Sequence, residues 1–121
     1  MTNAINNYAD IIDSRDVIAR IAALQEDANR SEEEAAELAA LLKLAKEGAE
    51  ANSDWEYGET LIRDTYFSVY AQELAEDCGD IPRNRLNWPL SCIDWQWAAR
   101  ELKYDYTEIN FDGITYWLRS A

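Results

Sequence analysis

The sequence predicts an α+β fold: an N-terminal helical hairpin followed by a small helical module that closes with a β-hairpin. Three observations carry this prediction. Two long stretches in the first fifty residues repeat their apolar side chains at intervals of three and four, two shorter stretches of the same kind follow, and residues 106–119 alternate apolar with polar around Asp112-Gly113. A chain of 121 residues suits one core, so residues 1–51 (the hairpin) and 52–121 (an acidic α+β module) are expected to pack as one compact unit.

In "SRDVIARIAALQEDA", residues 14–28, Val17, Ile18, Ile21 and Leu24 share one helical face, with Asp13 or Ser14 as N-cap. Ser31 and Glu34 then form a capping-box pattern ahead of a helix of about five turns, whose Ala35, Leu38, Leu41, Leu42 and Ala45 share a face. The pair reads as an antiparallel hairpin turned at Asn29 and Arg30, one long bent helix being the alternative. Glu32, Glu33 and Glu34 complement the dipole of a first turn, and Lys43/Glu47 and Lys46/Glu50 have the spacing of i,i+4 ion pairs. Asn52 and Ser53, after Gly48, mark a boundary.

A third helix is expected in "DTYFSVYAQELAEDCG", with Phe67, Tyr70, Ala71, Leu74 and Cys78 inward and Gly79 as its C-terminal cap. Residues 79–91 read as a loop around Pro82 and Pro89. Asp94 can cap a fourth helix, "WQWAAREL", with Trp95, Ala98, Ala99 and Leu102 at helical spacing. The closing hairpin pairs Phe111 with Ile114, Ile109 with Tyr116 and Thr107 with Leu118, and these six form its core face.

Composition excludes several functions. No stretch approaches the roughly 18 apolar residues of a membrane span, and the N-terminus lacks a secretory pattern, so a cytoplasmic protein is expected. Eleven bases against 24 acids argue against direct binding to nucleic acid or to an anionic membrane and in favour of electropositive partners. There is no histidine, which removes Ser-His and Cys-His catalysis. Cys78 and Cys92 are expected as two small buried residues rather than a disulfide.

The stretch "DWEYGETLIRD" invites a metal reading, but a calcium loop counted from Asn52 has Tyr57 where its glycine belongs. Glu56 and Glu59 as a catalytic carboxylate pair have no accompanying base, nucleophile or cofactor motif. The expectation is a non-enzyme with no cofactor and no metal, in which Trp55, Tyr57, Leu61 and Ile62 anchor an acidic loop to the core.

The acidity is regional. Residues 47–80 hold ten acids, Glu47, Glu50, Asp54, Glu56, Glu59, Asp64, Glu73, Glu76, Asp77 and Asp80, against Arg63 alone, whereas residues 81–121 hold five of each sign. Glu73, Glu76, Asp77 and Asp80 follow i, i+3, i+4, i+7 and would form one stripe opposite the core face of the third helix. Such neighbours repel by about 0.2 to 0.5 kcal/mol each and meet the unfavourable end of the helix dipole. A folded chain that breaks local rules in this way marks a candidate functional surface, and these ten residues are the candidate partner-binding set.

From Tyr66 onward, "YAQELAEDCGDIP" and "CIDWQWAARELKYDYTEINFDGITYW" resemble the last domain of the ArdA-type antirestriction proteins, on Ile93, Asp94, Trp95, Arg100, Leu102, Asp112, Gly113 and Tyr116. The chain departs from that family in opening with a helical hairpin. The resemblance implies an elongated acidic α+β protein that imitates duplex DNA and fills the groove of a host restriction enzyme, with Glu73, Glu76, Asp77 and Asp80 in the place of phosphates. It also implies a phage or mobile-element origin and makes a homodimer an expectation. The basic DNA channel of a CRISPR effector would suit the same surface. The competing expectation is a non-catalytic interaction or oligomerisation module whose acidity only confers solubility.

Overall fold

The computed structural model describes residues 3–83 and 85–120. Its elements are β1 (Ile11–Asp13), α1 (Ser14–Glu26), α2 (Glu32–Ala51), β2 (Thr60–Arg63), α3 (Phe67–Asp77), α4 (Trp95–Leu102), β3 (Tyr106–Phe111) and β4 (Ile114–Arg119). The strands form one antiparallel sheet in the order β1-β2-β4-β3.

Because strand side chains alternate between faces, neighbouring residues of the central strands feed different cores. Leu61, Tyr116, Leu118, Ile109 and Phe111 join Val17, Leu24, Leu38, Leu41 and Leu44 beneath α1 and α2. Ile62, with Trp117 and Tyr106, packs against Phe67, Ala71 and Ala99 of α3 and α4. The molecule is therefore a three-layer sandwich: hairpin α1–α2, sheet, then α3–α4.

Local chemistry sets the joints. Asp13 caps α1 by accepting from the Arg15 amide at 2.8 Å. Ser31 and Glu34 make the expected reciprocal capping box. Arg30 donates to the Leu24 carbonyl at 2.8 Å, closing the turn between the helices. Arg20 and Glu37 meet across the hairpin through two bonds of 2.8 and 2.9 Å, and Glu37 also accepts the Ile5 amide. Gly79, at φ 80°, ends α3 with the paired bonds of a Schellman cap, Gly79 to Glu76 and Asp80 to Ala75. Asp94 caps α4 through the Gln96 and Trp97 amides. The β3–β4 register is the expected one, and Asp112 and Gly113 both have positive φ, as a two-residue type I′ turn requires.

Several expectations are corrected. The buried stripe of α2 runs Leu38, Leu41, Leu44, Gly48, while Ala35 and Leu42 face solvent; Ile18 of α1 is likewise exposed. At the end of this stripe the Trp55 indole folds over Gly48 so closely that a Cβ there would overlap the ring. Tyr57 is exposed and anchors nothing, and Cys78 and Cys92 are both exposed free thiols. Cys78, the helical C-cap residue of α3, stays on the Ala71–Leu74 face but is exposed because that face opens to solvent there. Neither Lys43/Glu47 nor Lys46/Glu50 is among the ion pairs of the described residues.

The expected boundary residue Asn52 is buried at the end of α2 and donates to the Arg119 carbonyl at 2.9 Å. The segment read as an acidic loop contains β2, and β1 is an additional strand. The loop over 79–91 contains a 3-10 turn from Leu90; Asn84 within it lies outside the described residues.

Candidate acidic interaction surface

The acidic segment 47–80 runs from the end of α2 through a 3-10 turn at Trp55–Tyr57, along β2, through a second 3-10 turn at Asp64–Tyr66 and into α3. It thus crosses from one helix layer, through the sheet, to the other. The ten candidate residues divide accordingly. Glu47, Glu50, Asp54, Glu56 and Glu59 belong to the α2 end and its connection to β2; Asp64, Glu73, Glu76, Asp77 and Asp80 belong to α3 and its flanks.

The first group is held in place by Ser14. Its hydroxyl donates to the Trp55 carbonyl and accepts from the Glu59 amide, both at 2.7 Å, and its own amide donates to the Glu59 carbonyl at 2.9 Å. Asn52 adds an Asx-type bond from the Asp54 amide at 2.8 Å. Glu50, Asp54 and Glu56 are exposed and Glu59 is half-buried. Hydrogen bonding to Glu56, then that carboxylate's charge, pushes the Tyr57 phenol's pKa up. Glu47 is half-buried, and its Oε2 is shielded from solvent with no hydrogen-bond partner among the described residues, so it is not a freely displayed anion.

In the second group α3 places Glu73, Glu76 and Asp77 at i, i+3, i+4, with no base in its last turn. The expected four-member stripe is shortened to three, because the cap at Gly79 carries Asp80 off the helix. Glu73 accepts from the Tyr66 hydroxyl at 2.6 Å, which raises the tyrosine pKa, and Glu76 is half-buried beside Gln72. Two members are countered by bases. Arg83 pairs with Asp77 at 3.0 Å across open solvent, a contact of small energetic weight.

Asp64 is bound more firmly. One carboxylate oxygen accepts from both Trp117 Nε1 at 2.8 Å and Lys103 Nζ at 2.9 Å. The Trp117 bond, then Lys103, holds its pKa below the ordinary carboxylate value, although partial burial opposes them. Lys103 in turn lies over the Trp117 and Phe67 rings, 4.9 and 5.4 Å from their centroids. Asp64 is therefore a structural tie between the sheet and the 3-10 turn that follows α4. Arg100, Thr65, Ser68 and Gln96 border an open polar hollow beside it.

The chain matches no protein-family model, no curated protein and no solved structure. Among the described residues, no cluster of three or more His, Cys, Asp or Glu side chains is arranged to hold a metal ion. No helix among them is long and apolar enough to cross a membrane. Eight of the ten candidate acids have no ion-pair partner among the described residues. Sequence reasoning missed Ser14 as the clamp of the acidic turn. Its only signal was a hydroxyl next to a capping aspartate, which names a helix start and not a partner forty residues away.

Proposed function

We propose that this protein is a non-enzymatic acidic inhibitor that occupies the DNA-binding groove of a host defence nuclease, a restriction enzyme or a CRISPR effector, in place of DNA. The observation that supports it is the unneutralised charge carried on ordered backbone: among the described residues, eight carboxylates of a 34-residue segment have no ion-pair partner, and all but the shielded Glu47 are presented from α2, α3 and the turns beside them. The motif resemblance of residues 66–121 to the ArdA-type proteins points the same way. Carboxylates so mounted can face the Lys and Arg side chains that grip phosphates, and exclude DNA by competition without chemistry.

The division of the acids between two helix layers favours a partner that closes around the molecule over one that meets a single flat stripe. The test is competition between this protein and duplex DNA for a purified restriction or CRISPR complex. The apparent affinity should fall steeply and log-linearly with salt, and Glu73→Lys/Glu76→Lys/Asp77→Lys should abolish inhibition while the protein stays folded. Inhibition indifferent to salt, or undiminished in the folded triple variant, would favour the interaction-module reading instead.

A further inference from the structure

Packing of α3 against α4 leaves a groove of about 260 Å³ between the two helices, open to solvent. Its walls are Ala71, Leu74 and Ala75 of α3, Trp95, Ala98 and Leu102 of α4, and Cys78 at the α3 cap. Apart from Asp80 at one end, every wall residue is apolar or a thiol. On the far side of Ala98, a second shallow hollow is lined by Ile93, Trp97, Asp94 and Glu101. Trp97 is 58% exposed, its indole N–H donating to Glu101 at 3.0 Å. An apolar trough thus lies between acids: Asp80 just past the α3 cap, and Asp94 and Glu101 along α4.

Small side chains at 71, 75 and 98 leave room for an incoming side chain, and the surrounding charge selects which segment can bring it. We infer that this groove is an anchor site for a basic amphipathic helix of the protein partner, which inserts a leucine-like side chain between Leu74, Ala98 and Trp95 while its Lys and Arg meet the flanking acids. The mode is helix-in-groove recognition with an apolar hot spot inside a charged rim. The inference rests on the function proposed above only for the partner's positive charge. It adds a component of affinity that salt does not screen.

Cys78 in the groove wall provides the readout. In a Cys92→Ser background, two synthetic helices of about five turns are compared. One carries Leu along one face with Lys and Arg elsewhere; the other has the same charges with Ser in place of Leu. The Leu peptide should bind at least about tenfold tighter, persist at about 0.5 M salt where the Ser peptide is lost, and slow maleimide capture of Cys78 by a similar factor. Ala98→Trp, which fills the groove, should remove the Leu advantage and leave Ser-peptide binding unchanged, with circular dichroism confirming the fold. Equal affinity of the two peptides, or unprotected Cys78 under saturating Leu peptide, overturns the inference. Neither outcome touches the Glu73/Glu76/Asp77 reversal, so failure of the groove and failure of DNA mimicry are read separately.

Discussion

Ser14 shows how a single buried hydroxyl organises charge elsewhere. It is fully buried and serves Trp55 and Glu59 together, so Ser14→Ala leaves a carbonyl and an amide without partners. A loss of about 2 kcal/mol is expected in urea unfolding, with faster amide exchange at Glu59 than at the α2 amides. Gly48 gives the opposite kind of constraint. In a helix interior, alanine normally gains up to about 1 kcal/mol over glycine, but here the new methyl meets the Trp55 ring. Gly48→Ala should therefore destabilise, by about 2 kcal/mol. In a Trp55→Leu background the same change should turn neutral or stabilising, and the double-mutant cycle measures that reversal.

At the scale of elements, the α1–α2 hairpin is clasped by Arg20 and Glu37, whose side chains are only 12% and 13% exposed. The Arg20 guanidinium, helped by the Ile5 amide and opposed by burial, holds the Glu37 pKa below its ordinary value. A depressed carboxylate stabilises the fold above its unfolded pKa and loses that contribution as pH falls through the folded value. The urea midpoint should therefore decline below about pH 4, and Glu37→Gln should flatten that decline while lowering stability at neutral pH by about 2 kcal/mol.

The helices and the last hairpin were legible because their signals are local: a capping box, an Asp-capped amphipathic run, an Asp-Gly turn. β1 and β2 were not. β1 has three residues, too few for a period, and the Leu61-Ile62 core of β2 is buried on both sides because helices cover both faces of the sheet, which erases the alternation that identifies a strand. Of the expected α2 face, Leu38 and Leu41 are buried and Ala45 is half-buried, whereas the inward positions Leu44 and Gly48 escaped because Leu41-Leu42 offers two apolar neighbours and Gly48 meets Trp55, a residue beyond the helix.

On the scale of the whole molecule, a net charge of −13 acts on folding and on recognition in opposite senses. Self-repulsion opposes the compact state and is screened by salt, so the urea midpoint should rise between about 0.02 and 0.5 M sodium chloride, over the range in which the proposed inhibition should fall. Parallel movement of the two curves would show that charge is not the currency of binding. The regional excess of acid was readable from residue counts. Its placement was not, since two layers of one sandwich share the segment, and the neutralising bases Arg83 and Lys103 come from downstream of it.

The strand order carries a kinetic corollary. Its inner pair, β2 with β4, joins Leu61 to Leu118 and Ile62 to Trp117, so the sheet cannot zip from neighbour to neighbour along the chain. The two helical pairs and the terminal hairpin can each form on their own, but the seam between β2 and β4 must close over everything from α3 to β3. Loop-closure entropy makes the closing of the long-range seams of β2, with β4 and with β1, the slow event. Substitutions at Leu61 or Trp117 should retard refolding, whereas those in the α1–α2 turn should chiefly accelerate unfolding.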